Sequence, residues 1–268
     1  MTIVNSVSEY VTKTSSRNKD GDVRWFRGIK STEYTLISTL YRKTAIDGTP
    51  LGIEKILDIE EWLLERFRER SGPFRAGPQP ADSIELLFEM QHYGAPTRLL
   101  DWSENALVSL WFAVTGKSDN DSAVWILDPS KWNDLAFSQN NHVKNVLSPL
   151  SQEVNAMQPW NSARNDRLSN APICIYGTHN NRRIVSQRGT FTLSGRSTEP
   201  MEEFIKTLVH DNPQLEEEIL SKITIPHSSR NKIKQELYHL GFTHSMIFPD
   251  LVGLASELDD RLNESGLL

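Results

Sequence analysis

An α+β fold is what this chain predicts, with strands and helices mixed rather than strictly alternating, and three observations carry the expectation. Apolar residues at Ile56, Leu57, Leu63, Leu64 and Phe67 recur at helical spacing. Short runs such as Val23-Arg24-Trp25-Phe26 and Ala123-Val124-Trp125-Ile126-Leu127 are β-branched and aromatic, as strands are. Glycine and proline break the pattern into many short elements whose order does not repeat as βαβ units. With 38% apolar residues and seven Trp in 268 residues, the chain can bury a sizeable core, and residues 1–268 read as one domain.

In chain order, residues 1–21 read as a polar N-terminal arm or short helix ending in a turn at Ser15–Gly21. Val23–Gly28 reads as a strand, stopped by its glycine. A helix over Ile53–Arg70 ends at Ser71-Gly72-Pro73. The next runs from Asp82, an N-cap with Glu85 three residues on, to Tyr93, with Gly94 at C′ and Pro96 barring continuation. Residues 91–103 read as a break between two helices, the second capped by Ser103 and running from Glu104 to Thr115. Ala123–Leu127 is a buried strand. Residues 129–170, rich in Asn, Ser and Trp, read as a long irregular insertion. Strands follow at Ile173–Tyr176, Arg183–Val185, Thr190–Leu193, Lys222–Ile225 and Ser245–Phe248. Helices are expected near residues 200–210, at Ser228–Leu240 ahead of Gly241, and from Pro249 onward.

Composition narrows the function. No window approaches the eighteen apolar residues of a membrane span, and the N-terminus lacks the basic start and apolar run of a secretory signal. Cys174 is the only cysteine, which excludes an intramolecular disulfide. A cytoplasmic protein without membrane partners is the plain expectation. A net charge of −6 argues against a protein that coats nucleic acid through its overall field, although Asn180-Asn181-Arg182-Arg183, with Arg188 and Arg196 nearby, forms a local basic run. That run is either a solvated edge or a phosphate-facing surface. No P-loop, His-Glu-x-x-His helix, Gly-x-Ser-x-Gly elbow or dinucleotide glycine fingerprint is present, and the seven histidines have no metal-ligand spacing. No metal is therefore expected.

Chemistry concentrates in Gln91-His92-Tyr93-Gly94-Ala95-Pro96-Thr97-Arg98-Leu99-Leu100-Asp101-Trp102-Ser103. Ordinary connectors are rarely this dense in functional side chains. Arg27, at the end of a strand, is either paired with a buried carboxylate, for which Asp101 is the obvious partner, or aimed at an anionic ligand. Gly28 would let a ligand or a neighbouring backbone approach. His92 closes a helix and is either a capping or core histidine or a reactive one. Thr97 and Arg98 follow Pro96 in extended geometry, so Arg98 can reach away from its helix. Trp102 either stacks on a flat ring or packs in the core. Gln187-Arg188-Gly189-Thr190-Phe191 offers an amide that could hold a ribose hydroxyl, or else a β-bulge about Gly189.

These blocks, with Trp25-Phe26-Arg27-Gly28 and Phe248-Pro249-Asp250-Leu251-Val252-Gly253-Leu254, resemble the FRG domain family along nearly the whole chain. The C-terminal block reads as structural closure. The order of the first three is similar, remotely, to the ADP-ribosyltransferase fold. That resemblance implies a central split sheet flanked by helices and an intracellular NAD-using ADP-ribosyltransferase or NAD glycohydrolase, such as a toxin or antiphage defence effector. It places Arg27 first, Thr97 and its neighbours second and Gln187 third, where the superfamily has Glu. A carboxylate stabilises the oxocarbenium-like transition state far better than a neutral amide, so Asp101 or His92 would have to supply that function. The candidate catalytic residues are then Arg27, His92, Asp101 and Gln187. Gly28, Thr97, Arg98, Trp102 and Phe191 would hold the nucleotide, with NAD as substrate and a protein or nucleic acid as acceptor. The alternative is a non-catalytic nucleotide or nucleic-acid sensor, or an interaction module whose dense loop is structural.

Overall fold

A seven-stranded mixed sheet organises the chain, in the order β1-β7-β4-β2-β3-β6-β5, where β1 is Thr2–Ile3, β2 Trp25–Ile29, β3 Leu99–Ser103, β4 Ser122–Leu127, β5 Ile173–Tyr176, β6 Gly189–Leu193 and β7 Leu220–Ile225. The computed structural model describes residues 2–16, 23–75, 77–137, 145–158, 168–178, 182–210 and 212–264. Only β1 and β7 run parallel; every other neighbouring pair is antiparallel.

Alternation of side chains sorts the sheet into two faces. On one, Phe26, Val124, Ile126, Ile223 and Ile225 meet α1 (Val7–Ser15), α4 (Ala106–Val114) and, further along the chain, the helix at His227–His239. The same face of β3, β6 and β5, through Leu99, Phe191, Leu193, Ile173 and Ile175, is covered by α2 (Ile53–Arg70) and α3 (Ser83–His92). The opposite face carries Trp25, Ile29, Leu100, Trp102, Trp125 and Cys174 under α5 (Pro129–Ala136) and later helices. One face therefore has two separate helical covers, and they part above β2 and β3.

Local chemistry explains the elements nearest that gap. Asp82 caps α3 by accepting from the Ile84 N–H at 2.7 Å, and Gly94 ends it at φ +78°. Asn105, not Ser103, caps α4, accepting from Leu107 N–H at 3.0 Å. Ser103 instead closes β3, because the second half of the 91–103 segment is a central strand and not a loop. Its polar residues hid the strand: Leu99, Asp101 and Ser103 point one way, Leu100 and Trp102 the other.

Two further expectations are corrected. Residues 183–185 lie in α7 (Arg182–Gln187), after α6 (Gln152–Ala156), and residues 244–247 form the short helix α11 (His244–Ile247). Between them come α8 (Met201–Leu208), α9 (Pro213–Ile219) and α10 (His227–His239), and α12 (Leu251–Glu264) follows. No β-bulge forms at Gly189: β3 and β6 pair without interruption from Ser103–Gly189 to Leu99–Leu193. Within 129–170 several described residues are packed into the core. The Trp132 indole is buried and donates to the Pro172 carbonyl, and the buried Asn133 amide bridges Asn145 and Cys174. The remainder of that span, and Asn180 and Asn181 of the basic run, lie outside the described residues. Among the described residues no helix is long and apolar enough to cross a membrane.

Candidate functional site

Where the two helical covers part, a cleft of about 240 Å³ opens over the junction of β2 and β3. Its floor is Phe26 and Gly28 of β2 with Asp101 and Ser103 of β3; its walls are α4, α3 and α7. The two strands share a single paired position, Phe26 with Ser103. Gly28 is required there by its neighbour: a Cβ would lie 1.9 Å from the Ser109 carbonyl oxygen of α4. The close approach is thus made by backbone.

Arg27 starts from the opposite face, in register with Trp125, and its guanidinium crosses the opening between β2 and β3. Nη1 donates to the Asp101 carbonyl at 2.5 Å and lies 3.8 Å from Asp101 Oδ2. This is not a buried ion pair, since the Asp101 side chain is 56% exposed and that of Arg27 22%. Burial lowers the Arg27 pKa, Asp101 opposes the shift, and the nearby Arg42 adds to it. Arg27 Nε is buried with no hydrogen-bond acceptor among the described residues.

A relay of side chains fixes Asp101 from the other side. Thr97 Oγ1 donates to Gln91 Oε1 at 2.5 Å, and Gln91 Nε2 donates to Asp101 Oδ2 at 2.8 Å. Thr97 itself is buried, so it positions the amide and does not face the cleft. His92, the last residue of α3, is half-buried, and its pKa is lowered by desolvation and then by Arg183, with Asp250 opposing. Lost hydration and a neighbouring guanidinium therefore hold its imidazole toward the neutral form.

Helix α7 brings Arg183 and Gln187, four residues apart on one face, to the same cleft. Arg183 lies 4.3 Å over the Phe248 ring and donates to the His92 carbonyl at 3.2 Å. Its pKa is lowered by burial against the opposing pull of Asp101 and Asp250. Gln187 Nε2 donates to the Ile247 carbonyl at 3.1 Å, and the Gln187 backbone carbonyl accepts from Ser103 Oγ at 2.6 Å.

The structure thus gathers Arg27, Gly28, His92, Asp101, Gln187 and Phe191 at one cleft, Phe191 stacked on Phe88 with ring centroids 4.7 Å apart. It does not bring Arg98 there, and although Trp102 borders the cleft, its indole turns away from it. Arg98 is fully buried, its Nε 2.7 Å from Glu60 Oε2 and its other nitrogens on the Ser194 and Met157 carbonyls. The Trp102 indole lies on the far face and donates to Thr192 Oγ1. Gln91, Ser103 and Arg183 complete the site; Gln91 and Ser103 were not singled out as candidates, and Arg183 stood only in the basic run that was read as a solvated edge or a phosphate-facing surface. Reading 182–187 as a helix would have paired Arg183 with Gln187, and reading 99–103 as a strand would have put Ser103 beside Asp101. Among the described residues no group of three or more His, Cys, Asp or Glu is placed to hold a metal ion.

Residues 23–122 match the FRG domain model, which supports the family. That segment holds Arg27, Gly28, Gln91, His92, Thr97 and Asp101; Arg183, Gln187 and the C-terminal block at Phe248 lie outside it. No curated protein and no solved structure matches the chain.

Proposed function

We propose that the cleft binds an anionic nucleotide and cleaves the nicotinamide–ribose bond of NAD, with Asp101 as the carboxylate that the chemistry requires. The observation that carries this reading is a pair of opposites: the incompletely neutralised Arg27 guanidinium, whose Nε lacks an acceptor, beside the solvent-open Asp101 carboxylate held by Gln91. A phosphate suits the first, and a developing oxocarbenium ion suits the second.

In the reaction, the C–N bond of the nicotinamide riboside breaks and its electron pair leaves with nicotinamide. Asp101 stabilises the positive charge left on the ribose. A water or acceptor nucleophile then bonds to that carbon, and the neutral His92 imidazole takes its proton. Arg183, which shares the cleft, adds a second cation for a phosphate. Gln187 is not assigned the carboxylate's part, because its amide donor is already committed to the Ile247 carbonyl. With about 240 Å³, the cleft suits the reacting half of a dinucleotide rather than the whole.

The test is release of free nicotinamide from NAD by the purified chain, followed by chromatography. Asp101→Asn should lower turnover about 10²–10³-fold, the usual effect of one preorganised electrostatic contact. Retained turnover in Asp101→Asn refutes the assignment of that carboxylate. Tight binding of ADP-ribose with no turnover by the wild-type chain would make the protein a nucleotide sensor, and absence of both removes the nucleotide reading altogether.

A further inference from the structure

The C-terminal block Phe248-Pro249-Asp250-Leu251-Val252-Gly253-Leu254, expected to serve only as structural closure, touches the wall of the cleft through Arg183. Its residues are arranged about one ring. Helix α11 ends where the Phe248 N–H donates to the His244 carbonyl at 2.7 Å. Asp250 Oδ1 starts α12 by accepting from the Gly253 N–H at 2.8 Å. A Cβ at Gly253 would lie 2.0 Å from the Phe248 carbonyl oxygen, so glycine alone lets the first turn of α12 close on that residue. The Phe248 side chain then meets Trp111 and Phe112 of α4 edge to face, with ring centroids 5.9 and 6.0 Å apart.

A face of that ring carries Arg183, whose guanidinium carbon lies 4.3 Å from the centroid. Helix α7 is only six residues long and is pinned to the same place. The Ile247 carbonyl accepts from both Ser186 Oγ and Gln187 Nε2, each at 3.1 Å, which sets Arg183, one turn earlier, over the ring. Among the described residues the guanidinium makes one hydrogen bond, from Nη1 to the His92 carbonyl, and no ion pair. The two carboxylates whose charge it feels are held by other donors, Asp250 by the Gly253 N–H and Asp101 by Gln91 Nε2. Nε and Nη2 are thus left uncommitted, and together they form the edge of a guanidinium that grips two oxygens of one phosphate.

We propose that Phe248 is a positioning residue, whose ring holds Arg183 flat at the cleft wall so that its Nε–Nη2 edge grips a phosphate group. This role rests on the reading of the cleft as a nucleotide site and brings the C-terminal block into it. An aromatic face suits the task. A carboxylate would neutralise the cation and occupy its fork, whereas a ring attracts the cation and leaves its edges free. Lysine could not take the part, because an ammonium has no plane to orient.

Inorganic pyrophosphate is the probe, titrated to about 10 mM so that even millimolar affinity registers, with the Arg183 Nε–H resonance followed by heteronuclear NMR. Loss of the resonance in Arg183→Lys assigns it. In the free chain the Phe248 ring current should displace this resonance, and Phe248→Leu should return it toward those of other arginines. Pyrophosphate should shift it further. Affinity should fall about tenfold in Phe248→Leu and in Arg183→Lys, yet hold within about twofold in Phe248→Tyr, which keeps the same ring face. Arg183 lies half-buried on a short helix, so Arg183→Lys carries the test even where Phe248→Leu does not fold, which melting curves report. A folded Phe248→Leu or Arg183→Lys chain that binds pyrophosphate like wild type overturns the proposal, and so does a wild-type Arg183 resonance that pyrophosphate does not move. Pyrophosphate held through Arg183 by a chain that neither binds ADP-ribose nor releases nicotinamide keeps the phosphate grip and removes the nucleotide reading. Nicotinamide release with the same KM for NAD in wild type and Phe248→Leu does the reverse.

Discussion

Arg98→Leu separates a structural arginine from a ligand anchor. Arg98 and Glu60 are both fully buried, joined at 2.7 Å, and two further Arg98 nitrogens satisfy the Ser194 and Met157 carbonyls. Burial alone would lower the Arg98 pKa, yet the Glu60 carboxylate, with Tyr41 beside it, carries it above its ordinary value. Removing the guanidinium strands a buried carboxylate, which typically costs about 3–5 kcal/mol, and leaves two carbonyls without donors at about 1–3 kcal/mol each. Leucine recovers part of this through apolar burial, and relaxation recovers more. A net loss of about 4 kcal/mol is expected, which is a large share of a typical domain's stability of about 5–15 kcal/mol. At about 2–4 °C per kcal/mol, the melting midpoint should fall by roughly 10 °C. Urea unfolding followed by tryptophan fluorescence measures the loss. Glu60→Leu/Arg98→Leu should return much of it, because an apolar pair can replace a buried ion pair without stranding a charge. An Arg98→Leu chain that unfolds with wild type but loses nucleotide binding would refute the reasoning.

Three further outcomes follow from the geometry. Gly28→Ala drives a methyl to within 1.9 Å of the Ser109 carbonyl and should destabilise by about 3 kcal/mol, read by thermal melting, because helix backbone cannot yield as a side chain would. Gln187→Glu replaces the donor that holds the Ile247 carbonyl with an acceptor, so amide exchange should quicken over residues 244–248 while a chain with Gln187→Leu behaves similarly. Glu257, whose pKa hydrogen bonds from Ser245 and Thr243 lower to about 2, stabilises the folded chain above its ordinary value of 4.5. That contribution is lost as pH falls from 4.5 toward 2, so α12 should loosen in that window, and Glu257→Gln should remove the dependence in a circular-dichroism titration.

What the sequence made legible, and what it concealed, follows the physics of each segment. Helix α3 was plain because capping residue and terminating glycine agreed at its two ends, and α2 because its apolar period ran unbroken to the Ser71-Gly72-Pro73 stop. Strand β3 was hidden because a central strand beside a cleft exposes Asp101 and ends in the buried hydroxyl of Ser103, two polar residues that break the apolar run on which recognition depends. Helix α7 was mistaken for a strand since six residues are too few for the 3.6-residue period to declare itself. Arg27, His92 and Asp101 were legible as a group because one short segment and one strand end carry them. Arg98 stood in the same segment and pointed elsewhere. Its direction was set by Glu60, thirty-eight residues away, and no local pattern reports that contact.

The boundaries of the family match acquire a practical meaning from the strand order. Residues 23–122 contain β2 and β3 whole but only the first residue of β4, and β6 lies entirely beyond them. The two retained strands meet at one position, whereas the ladders that fix their register run to β4 on one side and β6 on the other. A fragment cut at those limits would display two unpaired edges and half of a cleft, and it should aggregate or fall to proteases rather than fold. The stretch by which this protein is recognised and the stretch that can exist by itself in water are therefore different lengths of chain.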